Sequence, residues 1–265
     1  WKILMRKVLL LDIESTGLDA KADRIIELGM MVTSSDFKVI HEEYNKLVWD
    51  DTYPTLTPEI EDLTGITQEE LLGNSIKPWL AMQDFNELIF KHEPEFIIAY
   101  NSEFDRSFID EELKRNNHGV MANWLCAMQD IDTNKKSKSW KLMHLALDYG
   151  VPVDPNELHR AINDVELMRK VLVASSANPS DMFTYRMAPS VYIRAVVETP
   201  WKDNGAGIAK AKSLGFSWEK VRGDTRVFEK CWVKLLKETE LTERNNYPFE
   251  TKILGVKDGN ETNSR

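Results

Sequence analysis

The chain is poor in cysteine: Cys126 and Cys231 are the only two among its 265 residues. That excludes a disulfide framework and a thiolate metal site, and it favours a reducing compartment, the cytoplasm. Long apolar runs are missing. None approaches the roughly 18 residues that a membrane helix needs, so no membrane association is expected. The N-terminus lacks an apolar run ended by a small-residue cleavage site, so no signal peptide is expected. Trp1 is not an initiator, and Met5-Arg6-Lys7-Val8-Leu9 reads as the true start, with residues 1 to 4 as upstream or added sequence. No internal repeat and no low-complexity tract is visible. An excess of positive charge is also missing: 34 Lys/Arg face 43 Asp/Glu, a net charge of −9. Taken as a whole, that balance argues against a nucleic-acid partner.

The distribution of charge weakens that objection. Residues 1 to 199 hold 21 Lys/Arg and 33 Asp/Glu, whereas residues 200 to 237 hold 9 Lys/Arg and 4 Asp/Glu. A carboxylate-rich metal site makes a domain acidic, and bound divalent ions reverse the sign locally. The basic segment can then attract a phosphate backbone. The length suits one large domain, or a medium one plus a small one.

Short apolar stretches alternate with helical spacing along the first two thirds. Val8 to Ile13 reads as a buried strand, with Arg24 to Thr33 and Lys38 to Val48 as two more around a Ser34-Ser35-Asp36 turn. Pro58 after Thr57, and the capping pattern Thr67-Gln68-Glu69-Glu70, predict two short helices between residues 57 and 73. A helix is expected over 78 to 91, a strand over 95 to 100, and a helix over about 103 to 116. Two more helices are expected: one over 139 to 149, with Ser139 as N-cap and Gly150 as its stop, and one over 158 to 174. Strands interleaved with helices predict an α/β sheet with helices on its faces. The domain assignment is 1–176 for this part, 177–190 for a linker, 191–254 for a small α+β module and 255–265 for a disordered polar tail.

Carboxylates stand where strands end. Asp12 and Glu14 close the first apolar run, in Leu11-Asp12-Ile13-Glu14-Ser15-Thr16-Gly17-Leu18. Asp105 follows another, in Tyr100-Asn101-Ser102-Glu103-Phe104-Asp105. His159 and Asp164 complete the set, in His159-Arg160-Ala161-Ile162-Asn163-Asp164. Residues two apart on a strand share a face, so Asp12 and Glu14 point the same way, and their mutual repulsion favours protons or cations. In α/β sheets such positions line the crevice beyond the strand ends. Each piece alone has a bland reading, a solvated acidic turn or a surface His and Asp. Together they supply a hard-metal cage and one group that titrates near neutrality, which is the equipment for cutting a phosphodiester with activated water.

The three blocks, in this order and over about 155 residues, resemble the motifs of the DEDDh (DnaQ-like) 3′→5′ exonucleases, the superfamily that includes the proofreading subunit of bacterial DNA polymerase III. Asp23-Arg24-Ile25-Ile26-Glu27-Leu28-Gly29 and Ser139-Trp140-Lys141-Leu142 support the likeness. Ser15 stands where threonine is common in relatives. The resemblance implies a ribonuclease H-like mixed sheet and two Mg²⁺ or Mn²⁺ ions held by Asp12, Glu14 and Asp164, with Asp105 joining directly or through water. It implies His159 as general base, backbone and small side chains of Thr16, Gly17 and Leu18 near the terminal sugar, and Asn101 and Phe104 against the end nucleotide. For Phe104, plain core packing is the competing reading. The implied activity is release of nucleoside 5′-monophosphates from the 3′ end of DNA, with single strands or 3′ ends as partners. An exoribonuclease would use the same residues on RNA. A non-catalytic subunit of a polymerase or other replication or repair protein is the alternative of another class.

The C-terminal block interleaves Trp201, Phe216, Trp218, Phe228 and Trp232 with Lys202, Lys210, Lys212, Lys220, Arg222, Arg226, Lys230 and Lys234. That pattern fits a nucleic-acid surface, with cations for phosphates and aromatic faces for bases. It fits equally a small core wrapped in solvating lysines.

Overall fold

Val8-Leu9-Leu10-Leu11 forms the centre of the fold. In the computed structural model these residues belong to strand β1 (Lys7–Ser15), and all four are fully buried. Their burial contributes on the order of 6–12 kcal/mol, at about 1.5–3 kcal/mol for each large aliphatic side chain. The structure describes residues 6–117, 119, 122–131, 139–155, 158–197, 205–222 and 228–256. The chain divides into two compact units, Trp1–Phe183 and Thr184–Arg265.

In the first unit β1 is flanked on both sides. It runs antiparallel to β2 (Ile25–Ser34), which pairs antiparallel with β3 (Ile40–Leu47). On the other side it runs parallel to β4 (Phe96–Ala99), which pairs parallel with β5 (Trp124–Cys126). The order is β3-β2-β1-β4-β5, a mixed five-stranded sheet. Helices α1 (Pro58–Thr64), α2 (Gln68–Asn74) and α3 (Pro78–His92) lie between β3 and β4 in sequence. Then come α4 (Ser102–Arg115), α5 (Ala127–Asp130), α6 (Leu142–Asp148), α7 (Ala161–Ala174) and α8 (Pro179–Met187).

Alternation along β1 assigns its two faces. Leu9, Leu11 and Ile13 pack with Phe85 of α3 and Phe108 of α4. Val8 and Leu10 pack with Leu145 of α6 and Val165 and Met168 of α7. Asp12 and Glu14 share the parity of Val8 and Leu10, so they fall on the α7 side of the sheet.

Several local details differ from the sequence expectations. Residues 177–190, expected as a linker, contain α8, and the boundary between the units falls inside it. Helix α6 starts at Leu142 rather than at Ser139, whose hydroxyl accepts the Lys141 N–H at 3.3 Å, a turn ahead of the helix. Helix α7 starts at Ala161, which leaves His159 outside it with a left-handed backbone, φ 62°. Thr67 does cap α2, accepting the Glu70 N–H, and Gly150 (φ 71°) follows α6 as expected.

The second unit is α+β. Its sheet, in the order β7-β8-β6-β9, pairs β6 (Ser190–Ala195), β7 (Ser217–Arg222), β8 (Phe228–Lys237) and β9 (Thr251–Val256) in antiparallel ladders. Helix α9 (Ala206–Ser213) precedes β7, and a 3₁₀ segment, Glu238–Asn246, follows β8. Gly255 and Val256, expected in a disordered tail, close β9 by pairing with Tyr192 and Val191. Met5, Trp201, Lys202, Arg226 and residues 257–265 lie outside the described residues.

One close approach fixes how α7 meets the sheet. A Cβ on Gly29 of β2 would lie 2.6 Å from the backbone carbon of Ala161 and 2.9 Å from its side chain. Only glycine lets the start of α7 sit this near β2. Gly29→Ala is expected to push the helix outward and destabilise the fold by about 1–3 kcal/mol, the usual range for overpacking. Urea unfolding followed by circular dichroism measures this, and an unchanged midpoint would contradict it.

Candidate active site

Pairing with β4 ends before β1 does. The register runs from Val8↔Phe96 to Leu10↔Ile98, after which the chain leaves β4 and enters α4. The remainder of β1 therefore has an unpaired edge on that side, where its N–H groups need other partners. Asp105, in the first turn of α4, meets that need: its carboxylate accepts from the Ile13 N–H and from its own. Asp105 is 3% exposed, which lodges a carboxylate deep at the side of Asp12 and Glu14.

On the opposite side, β1 and β2 set two acids across from each other. Asp12 faces Gly29 in the register, and Glu14 faces Glu27. Like charges directly opposite destabilise a ladder unless a cation intervenes. Glu27 is fully buried, and Arg160 supplies the cation. Arg160 Nε and Nη2 reach the Glu27 carboxylate at 3.2 and 3.0 Å, and Ala161 N–H donates to it at 2.9 Å. Glu27 thus holds both the residue before α7 and its first residue.

That anchor delivers His159 and Asp164. The Asp164 carboxylate accepts the His159 backbone N–H at 3.2 Å, closing the turn ahead of the helix. Ligand atoms of Glu14, His159 and Asp164 lie within 4.8 Å of one another, a spacing that suits a shared cation. His159 is exposed, whereas Glu14 and Asp164 are half-buried.

The electrostatics are those of crowded acids. Burial pushes Asp12 well above the ordinary carboxylate range, and the charges of Asp105, Asp164, Glu14 and Glu27 push it further. Glu14 is pushed up from 4.5 to about 8, first by burial, then by Asp164, Glu27 and Asp105, with Arg160 opposing. Asp105 is pushed up to about 7 by burial, against its two backbone hydrogen bonds. Asp164 is raised by burial too, and the contact with His159 restrains the shift. Four acids that resist ionising in one place favour a polyvalent cation, and their hard oxygen donors suit Mg²⁺ or Mn²⁺.

The expected substrate-side residues border this cluster in different ways. Leu18 is 87% exposed, as a side chain reserved for contact can be. Thr16 turns inward: its hydroxyl donates to Asp23 at 3.1 Å and accepts the Arg24 N–H at 3.0 Å. Gly17 lies against the Asp23 carboxyl, where a Cβ would come within 2.6 Å of Cγ. Asn101 is exposed just before α4. Phe104 is half-buried and packs on Phe108 with ring centroids 4.9 Å apart, so core packing accounts for part of it.

Residues that the motifs did not flag hold these pieces still. Glu27 and Arg160 do so for α7. Arg115 does so for the turn after β1, donating to the carbonyls of Ala20 and Lys21 at 2.7 and 2.8 Å while paired with buried Glu112. A charged residue inside Ile25-Ile26-Glu27-Leu28, and a Glu-Arg pair three apart on a helix, were the available sequence signals.

Comparison with known proteins agrees with this geometry. The family model RNase_T, described as Exonuclease, matches residues 9–172. The DNA polymerase III epsilon subunit of Treponema pallidum is 28% identical over 172 residues, covering 63% of this chain and 75% of that protein. The PolC-type DNA polymerase III of Thermotoga maritima is 31% identical over 168 residues, which is 62% of this chain but 11% of that polymerase. Among solved structures, E. coli exonuclease I in complex with a dT13 oligonucleotide superimposes with a TM-score of 0.60 at 16% identity, covering 72% of this chain and 48% of that one. The nuclease domain of 3′hExo, a DEDDh family member bound to rAMP, gives 0.55 at 15% identity, covering 65% of this chain and 92% of that domain. Both share the ribonuclease H-like fold. Among the described residues, no helix is long and apolar enough to cross a membrane.

Two outcomes follow from the electrostatics. An unfolded chain releases the Glu14 and Asp105 protons near the ordinary carboxylate range, and the folded chain releases them near 8 and 7. Between those limits the folded state binds more protons, so metal-free stability falls as pH rises from about 5 to about 8. Thermal melts in EDTA across that range test this, and Glu14→Gln is expected to flatten the curve. Glu27→Ala strands Arg160 and the Ala161 N–H, with an expected loss of about 3 kcal/mol or more. Denaturant titration checks it, and a loss no larger than that of an exposed Glu→Ala would refute the anchoring role.

Proposed function

The chain belongs to the RNase_T exonuclease family, and from that premise we propose that it hydrolyses phosphodiester bonds from the 3′ end of DNA and releases nucleoside 5′-monophosphates. The observation that carries this reading is the gathering of Glu14, His159 and Asp164 within 4.8 Å, with Asp12 and Asp105 in electrostatic contact with them. The relatives described as DNA polymerase III subunits, and the exonuclease I neighbour that holds a dT13 strand, support DNA over RNA. They also support a replication or repair setting with a polymerase partner.

Asp12, Glu14 and Asp164 would hold two divalent ions, with Asp105 joining them directly or through water. Such ions, when bound, lower the pKa of water and stabilise charge on the attacking and leaving oxygens. The remaining work falls to side chains of the chain itself. His159 takes the proton of the attacking water on its imidazole, acting as the general base. Its exposure lets it release that proton to solvent after each turnover. Asp164 keeps the His159 backbone in place through the N–H it accepts. Asp105 stays fixed against the end of β1 by the Ile13 N–H. Leu18 and Phe104 offer apolar surface to the terminal nucleotide, and Asn101 offers hydrogen bonds. Thr16 shapes the turn from within, so its contribution to substrate comes through the backbone.

The test uses matched 3′-labelled and 5′-labelled single strands of DNA and RNA with Mg²⁺, Mn²⁺ or EDTA. Mononucleotide release from the 3′ end of DNA is expected, abolished by EDTA and by Asp12→Ala. His159→Ala is expected to lower kcat by about 10²–10⁴ with a small change in KM, as for loss of a general base. Faster loss of RNA would move the assignment to an exoribonuclease. No cleavage of either by the folded protein would give the lead to a non-catalytic subunit.

A further inference from the structure

The second unit separates aromatic residues that look alike in the sequence. Phe216 is 3% exposed and sits edge-on to Tyr247 and Phe249, with centroids at 5.2 and 5.4 Å, so it belongs to the unit's own core. Trp218, two residues on, is 55% exposed. It leans on Trp232 of β8 with centroids 5.5 Å apart and the planes tilted by 55°. Lys212, from the last turn of α9, places its ammonium 5.3 Å from the centre of the Trp232 ring. An exposed indole next to a second indole and a cation is more than stray surface apolarity.

The register of the β7–β8 ladder sorts charge by face. Trp218 pairs with Trp232, Lys220 with Lys230, and Arg222 with Phe228. These six positions share one parity, and so one face of the ladder. The acids Glu219 and Glu229 fall at the other parity, paired with Cys231 and Val221.

We propose that this face of the β7–β8 hairpin binds single-stranded nucleic acid, with a base stacking on exposed Trp218 beside half-buried Trp232, and phosphates drawn by the positive charge that Lys212 and the register positions of Lys220, Arg222 and Lys230 bring there. The chemistry is non-specific: every base has a π-face, and every nucleotide linkage carries one charge. The face lies outside the carboxylate cluster and carries none of its residues. The proposal is compatible with the nuclease reading of the first unit but is tested by binding alone.

The experiment is fluorescence anisotropy of a labelled strand of about 20 thymidines, a length that spans one binding site or more. The full chain is held in EDTA and titrated at several salt concentrations. Trp218→Ala is expected to weaken binding by between about fivefold and about a hundredfold, the effect of losing one stacked base. The salt dependence should stay as it was. Lys220→Gln with Lys230→Gln should instead flatten the slope of log affinity against log salt by about 1.4, for two single-strand phosphate contacts. Trp218→Phe keeps an aromatic face and should restore most of the affinity. Thermal melts of each variant guard against misfolding.

In parallel, hydrolysis of the p-nitrophenyl ester of thymidine 5′-monophosphate reports on the carboxylate site without a polymer. Equal turnover by wild type and Trp218→Ala, together with the binding loss, supports the proposal. Unchanged affinity in Trp218→Ala and in the double lysine variant overturns it and leaves the face to a protein partner. Failure of the wild-type chain to bind the strand overturns it as well. Turnover of the ester with no binding defect sinks this inference alone. A binding defect with no turnover by wild type sinks the nuclease reading alone.

Discussion

The docking of α7 onto β2 is the contact on which the rest of the first unit depends. Glu27 is buried with no exposure, and three N–H donors of Arg160 and Ala161 converge on it. A carboxylate in that position costs several kcal/mol to desolvate, and only a full set of donors makes it tolerable. The arrangement stays in place because Gly29, two residues on and on the same face of β2, lets the helix start come close. Together the pair determines where the helix begins, and so where His159 and Asp164 arrive. The two halves of the site, about 150 residues apart in sequence, are brought together by this single seam.

The cluster that results is frustrated by design of its chemistry. Burial raises the proton affinity of Asp12, Glu14, Asp105 and Asp164, and the charges of Asp105 and Asp164 raise that of Asp12 and Glu14 further. The strand that carries two of them can bear this because its other half is four fully buried aliphatic residues. The opposing groups are few and placed with care: one guanidinium at Glu27, two backbone N–H groups at Asp105, one histidine backbone at Asp164. None of these neutralises the cluster, which leaves the cluster's demand for positive charge to be met from outside.

The chain also divides its charge. Residues 1 to 199 carry a large acidic excess, and residues 200 to 237 carry 9 Lys/Arg against 4 Asp/Glu. A polyanionic substrate meets repulsion from the first and attraction from the second, at a range set by ionic strength. Alternation along β7 and β8 sharpens the second term, because it collects cations and indoles at one parity and acids at the other.

The sequence by itself determined the motifs and the strand-then-helix order, and it pointed to five residues for one site, of which the structure gathers Glu14, His159 and Asp164. Those signals are local: an apolar run that ends in acids reads as a strand leading to a cleft whatever surrounds it. The short strand β5, with three residues, was invisible for the same reason, since its identity lies in pairing with β4 rather than in any period of its own. Helix α8 hid behind a turn-rich opening, and His159 was placed inside a helix because no sequence rule shows a left-handed residue ahead of one. Glu27, Arg160, Glu112 and Arg115 could be seen only as charges. Their partners lie across the fold, apart from the Glu112–Arg115 pair itself. Phe216 and Trp218 were indistinguishable in the sequence, because burial depends on which neighbours arrive from elsewhere. What only the tertiary structure decided is therefore every contact between residues distant in the chain: which acids share a cation's space, which charge is satisfied, and which indole is left at the surface.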